Sequence, residues 1–219
     1  MQPENCALLS DLDGTLSDTQ SLWSGINADV LSTKGIHITH EEMTRICHGV
    51  VAQDWLPPLA KEHGVMIDIE QTIKECVEAF ELRCADAPEI PGATDLIRNA
   101  YASKIPLAIA SGSLPHLIEK ILASLSLRSY FTVITSSAEV PRGKPEPDVF
   151  LLAAERLNIN PRYCVVLEDG KAGMIAARSA GMKCIGYVPI GDGSGYPADV
   201  IVRSLSEVTP ELILKLARA

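Results

Sequence analysis

Cys6-Ala7-Leu8-Leu9-Ser10-Asp11-Leu12-Asp13-Gly14-Thr15-Leu16 is the stretch on which the fold turns. It opens as a short apolar run of the kind that makes a fully buried strand, and two carboxylates and a glycine follow at once. Similar runs recur at 106–110, 131–135, 164–167, 183–188 and 200–202. Helical patterns lie between them, including 147–157 and 171–180, and Thr209-Pro210 has the residues of an N-cap and first helical position. Strands alternating with helices predict an α/β fold built on a doubly wound parallel sheet, because parallel neighbours need crossovers and the crossover helices cover both faces.

The alternation fails between Leu16 and Ala87, where no buried strand is evident and helical periodicities run at 22–34, 41–47, 53–63 and 69–84, punctuated by Gly35, Gly49 and Gly64. Residues 1–16 and 87–219 are therefore expected to form the sheet domain, with 17–86 as an inserted helical domain. With 47% hydrophobic and 21% charged residues in 219, the chain can bury a sizeable core. Its net charge of −9 provides no basic field for a polyphosphate backbone, so nucleic acid is excluded as a partner. Segment 18–86 holds 12 acids against 5 bases, which is −7 of that total. No apolar run nears the roughly 20 residues of a membrane span, and the first residues lack a basic leader pattern, so no membrane partner and a cytoplasmic location are expected. Six cysteines without a CxxC read as free thiols. His37, His40, Cys47 and His48 lack the second ligand pair that a zinc site needs.

Four polar clusters follow predicted strands: Asp11 and Asp13, Ser111-Gly112-Ser113, Lys144, and Glu168-Asp169. Any one of them alone reads equally well as a turn, but ligands of open parallel sheets bind at the carboxyl ends of the strands, where all four fall. Two like charges about 4 Å apart repel by roughly 4 kcal/mol at an effective dielectric near 20, so Asp11, Asp13, Glu168 and Asp169 gather only around a cation. Oxygen donors without a nearby His or Cys favour Mg²⁺. Lys144 and the Ser111 hydroxyl suit the nonbridging oxygens of a phosphoryl group, which makes a small-molecule phosphate ester the expected partner.

In these four motifs, Asp11-Leu12-Asp13-Gly14-Thr15-Leu16, Ser111, Lys144-Pro145 and Glu168-Asp169, the chain resembles the haloacid dehalogenase-like hydrolases. The resemblance spans essentially the whole sequence. It implies a Rossmann-like core with a small helical cap at 17–86, and Mg²⁺-dependent hydrolysis of a phosphate monoester through an aspartyl-phosphate. Asp11 would be the nucleophile and Asp13 the general acid and base. Thr15, Ser111, Gly112 and Lys144 would hold the phosphoryl group, with Lys144 also paired to Asp11. Asp11, the Asp13 carbonyl, Glu168 and Asp169 would hold the metal.

An acid at Asp13 argues for phosphate ester chemistry, since the dehalogenases and phosphonate hydrolases of the family do not carry one there. The chain is similar to the family's hexose phosphate mutases at Asp18-Thr19 and at Lys144-Pro145-Glu146-Pro147-Asp148. Where those carry a linker His and a cap Arg, it has Trp23 and Ala52, so a phosphatase acting on a sugar, polyol or nucleoside phosphate is expected and a mutase is the alternative. A phospho-accepting signalling module gathers similar residues but is shorter and lacks the insertion, and a noncatalytic binding protein would keep the site as scaffold. Trp23 and Trp55 read as leaving-group contacts or as core of the helical domain. Asp18, Asp29, Asp54 and Glu62, if they faced the substrate, would disfavour anionic leaving groups.

Overall fold

The computed structural model describes residues 5–47, 50–191 and 193–219. Among these, six parallel strands form one sheet in the order β3-β2-β1-β4-β5-β6: β1 Ala7–Ser10, β2 Leu107–Ser111, β3 Val133–Ser136, β4 Cys164–Glu168, β5 Lys183–Tyr187 and β6 Val200–Val202. Each apolar run of the sequence is thus a strand. Three strands reach one residue further than the apolar runs do: β2 to Ser111, β3 to Ser136 and β4 to Glu168. Ser111 pairs in register with Ser136 and Glu168 with Gly186, so these polar residues end β2 and β4 where they were read as following them. The strand order reverses at β1, which lies between β2 and β4. A crevice at the carboxyl end of such a switch strand is where ligands of this architecture bind.

Among the described residues, five α-helices belong to the sheet unit: α5 Ala93–Ala102, α6 Pro115–Ser124, α7 Asp148–Leu157, α8 Lys171–Ser179 and α9 Pro210–Leu216. Thr209 caps α9, its hydroxyl accepting from the Leu212 N–H, while Pro147 sits just ahead of α7 and not within its first turn. The core joins Leu9, Ala108 and Val166 of the central strands to Phe150, Ala153 and Ala154 of α7 and Met174, Ala176 and Ala177 of α8. The alanines let both helices approach the sheet closely, and the apolar burial drives the assembly.

By its internal contacts the chain divides into two units, Met1–Ser17 with Pro88–Ala219, and Asp18–Ala87. The second is all helical: α1 Thr19–Thr33, α2 His40–Cys47, α3 Ala52–Glu62 and α4 Ile69–Arg83. Asp18 and Asp68 cap α1 and α4 by accepting from Ser21 and Gln71 N–H groups, and Thr39 and Glu42 form a reciprocal capping pair before α2. Leu31, Ile36, Met43, Leu56 and Leu59 form a separate core for these helices. The chain leaves and rejoins the sheet unit through adjacent segments, Ser17 bridging Glu89. None of the six cysteines is in a disulfide, and no helix among the described residues is long and apolar enough to cross a membrane.

Candidate active site

Asp11 extends β1 by one residue, donating its N–H to the Leu167 carbonyl at 2.9 Å, which fixes its side chain at the sheet edge. The next residues turn sharply: the Leu16 and Ser17 N–H groups both reach the Leu12 carbonyl at 3.0 Å, and Gly14 adopts φ +81. A side chain at Gly14 is doubly barred, by that φ and because a Cβ there would meet Asp169 Oδ2 at 2.4 Å. The turn therefore lies against β4's end.

Lys144 ties the site together. Its ammonium donates to Asp11 Oδ1 at 2.5 Å and to Glu168 Oε2 at 2.7 Å, and it sits 5.0 Å from the centre of the Phe150 ring. Burial opposes its charge, but Asp11 and Glu168 outweigh that and push its pKa up, so it stays an ammonium. Glu168 also accepts the Gly170 N–H at 3.1 Å. Thr15 donates its hydroxyl to Asp169 Oδ1 at 3.0 Å. Asp13 Oδ2 accepts two hydroxyls, from Ser111 and Ser113, each at 2.8 Å, and Ser136 donates to the Ser113 carbonyl at 2.6 Å. Ser111, expected as a phosphate ligand, is thus engaged with Asp13. Beside it, Gly112 has nothing within 4 Å of where a Cβ would be, leaving that approach open.

Asp11, Glu168 and Asp169 each offer a carboxylate oxygen, and these lie within 4.8 Å of one another. Burial, then the charge of Glu168, pushes Asp11 up to about 8, and burial, then Asp11, pushes Asp169 up to about 6. Burial raises Glu168 as well. An all-oxygen set whose members repel one another suits a hard divalent cation such as Mg²⁺, which would remove the repulsion that raises them.

Every site residue expected from sequence in the sheet unit (Asp11, Asp13, Thr15, Ser111, Gly112, Lys144, Glu168 and Asp169) lies at this one edge. Ser113 and Phe150 join them without having been singled out. Ser113 stood within the quoted Ser-Gly-Ser, whereas Phe150 had only its place six residues after Lys144. His37 hydrogen-bonds Ser32 and His40 lies 3.6 Å from Asp29, and neither forms a metal cluster with Cys47 among the described residues; His48 lies outside them. Of the acids considered for charge selection, Asp18 caps α1 and Asp29 pairs with Arg83 at 3.1 Å, while Asp54 and Glu62 are exposed.

The fold and this edge together define a phosphoryl-handling α/β enzyme, and the comparisons give its family. A family model described as haloacid dehalogenase-like hydrolase matches residues 8–187. Hexitol phosphatase B of Escherichia coli K12 is 30% identical over 222 residues, covering 95% of this chain and 96% of its own. Beta-phosphoglucomutase of Bacillus subtilis 168 is 36% identical over 225 residues, covering 94% and 93%. A solved HAD family hydrolase of Deinococcus radiodurans R1 with bound phosphate and sodium superposes with a TM-score of 0.79 at 27% identity, over 97% of this chain and 96% of that one. The chain belongs to the haloacid dehalogenase-like hydrolase family. Within it, the chain is a phosphatase.

Proposed function

We propose that this phosphatase hydrolyses a small phosphorylated sugar, polyol or nucleoside in two displacements, with Asp11 as nucleophile and Asp13 as general acid and then base. The observation that carries this reading is the Lys144 bridge, which fixes the Asp11 carboxylate between a buried ammonium and the Glu168–Asp169 pair. In the first displacement an Asp11 oxygen bonds to phosphorus, the bond to the leaving oxygen breaks, and Asp13 gives that oxygen its proton. In the second, water attacks the same phosphorus, the bond to Asp11 breaks, and Asp13 takes up the water's proton. Lys144 offsets phosphoryl charge, while the Thr15 and Ser111 hydroxyls, turned away from Asp169 and Asp13, receive its oxygens beside the open approach over Gly112. Asp11, the Asp13 carbonyl, Glu168 and Asp169 would hold Mg²⁺, whose contribution is to neutralise the charge that phosphate and carboxylates bring together.

Sustained Mg²⁺-dependent hydrolysis of p-nitrophenyl phosphate is the basic test, and its absence would remove the reading. Asp13→Asn is expected to cost about 10² to 10⁴ in kcat/KM on an alkyl phosphate and much less on p-nitrophenyl phosphate, whose leaving group needs no proton; kcat/KM reports the first displacement and leaves out the later role of Asp13 as base. An equal loss of kcat/KM on both esters contradicts an acid role for Asp13.

The mutase alternative has a direct check. Where the mutases carry a linker His and a cap Arg for the distal phosphate, this chain has Trp23, stacked 4.0 Å from Phe80, and Ala52, which offers a second phosphate no cation. Incubation with β-glucose 1-phosphate and a hexose bisphosphate is therefore expected to release inorganic phosphate without accumulating glucose 6-phosphate. Efficient isomerisation would assign the chain to the mutases.

A further inference from the structure

We propose that a cavity inside the helical unit binds a flat heterocyclic group of the nucleobase kind. The cavity has a volume of about 400 Å³. Its walls include Trp23 of α1, Trp55 and Leu56 of α3 and Ile73 of α4. Val50, Val51 and Val77 also line it and remain 44, 61 and 42% exposed, an apolar patch of the sort that a ligand covers. No described lining residue is charged, so none of Asp18, Asp29, Asp54 and Glu62 acts on an occupant from its wall.

Among the described lining side chains, carboxamides come from Gln20 and Asn27 alone. With Trp23 they fall at i, i+3 and i+7 of α1 and so share one face of a helix that starts four residues after Thr15. Gln20 donates to Cys47 Sγ at 3.7 Å, and Asn27 is buried. Trp23 is pinned, because Phe80 lies flat against it with 6° between the rings and is itself buried. A fixed indole surface loses little freedom when something stacks on it.

These walls discriminate between alcohols. An open-chain hexitol carries a hydroxyl on each carbon, most of which would face hydrocarbon here, and each hydroxyl buried without a partner weakens binding by about tenfold. A planar heterocycle instead lays its faces on indole and aliphatic side chains. The donors and acceptors along its edge match the paired donor and acceptor of a carboxamide.

Both tryptophans of the chain line this cavity, so tryptophan emission reports on its contents without any turnover. Adenosine and uridine are expected to change the emission saturably, and sorbitol to leave it unchanged. Asn27→Leu should weaken nucleoside binding at least about fivefold with the far-UV circular dichroism intact, and Gln20→Leu gives the same reading should the first variant not fold. Nucleosides that leave the emission unchanged, or sorbitol that changes it as they do, overturn the assignment, and neither result bears on the hydrolysis of p-nitrophenyl phosphate.

Discussion

Asp11→Asn is expected to reduce Mg²⁺-dependent hydrolysis of p-nitrophenyl phosphate by at least about 10⁴-fold, because a carboxamide cannot take the place of a carboxylate nucleophile. The same substitution should not weaken the fold, and this separates loss of chemistry from loss of structure. Lys144 keeps Glu168 at 2.7 Å when Asp11 becomes neutral, so no buried charge is stranded. One of three mutually repelling carboxylates is removed. The pH dependence has a definite sign. Asp11 rises from the ordinary carboxylate value to about 8 on folding, chiefly through burial and then through Glu168, so the folded state binds the extra proton across that window. Stability from this group is therefore lost as pH rises across that window, and Asp11→Asn abolishes the loss. In EDTA, the Tm of the variant relative to wild type should climb between pH 5 and pH 8. Turnover within tenfold of wild type would place the nucleophile elsewhere, and a Tm gap that narrows with pH would mean that the Lys144 contact outweighs the repulsion.

The sheet and its site were legible because each depends on local pattern. An apolar run ended by an acid, as in Leu8-Leu9-Ser10-Asp11 or Val165-Val166-Leu167-Glu168, marks both a buried strand and its functional end. Helix boundaries were less legible where the signal is conformational. α5 begins behind Gly92, which has φ +91 and offers no capping side chain, so nothing in the sequence announces its first turn. Other features depend on residues distant in the chain. Arg83 neutralises Asp29 from 54 positions away, and Ser113 meets Asp13 from 100 away, so composition and spacing carry no trace of either contact. The negative charge of the insertion was read correctly as a total, but several of its members turn out to cap helices, pair with Arg83 or Lys34, or face solvent. Charge counts report how much is present and not where it points.

Gly173→Ala sets two physical rules against each other, and the structure says which prevails. Gly173 lies inside α8, where replacing glycine by alanine ordinarily stabilises a helix by about 1 kcal/mol. Here the new Cβ would stand 1.9 Å from Glu168 Oε2 and 2.6 Å from its Cγ, both far inside contact distance. A flexible carboxylate at a surface would swing aside. Glu168 is 3% exposed, bonded to Lys144 at 2.7 Å and to the Gly170 N–H at 3.1 Å, so moving it breaks both contacts. Overpacking of this kind costs about 1 to 3 kcal/mol, which exceeds the propensity gain, so Tm should fall. The displaced carboxylate also releases Lys144 from half of its bridge and disturbs the oxygens gathered for the cation. A misplacement near 1 Å in such a set typically costs about 10²-fold, and the loss should appear largely as a raised Mg²⁺ requirement. Gly181→Ala in a parallel preparation controls for the addition of a methyl group, since a Cβ at Gly181 meets nothing within 4 Å and its φ of +72 confines the penalty to local backbone strain, away from Glu168. The expected pattern is a lower Tm for both variants, with a raised Mg²⁺ requirement for Gly173→Ala alone. A Gly173→Ala protein with raised Tm and wild-type Mg²⁺ dependence would show that Glu168 is free to move, and that the Lys144 bridge does not hold it.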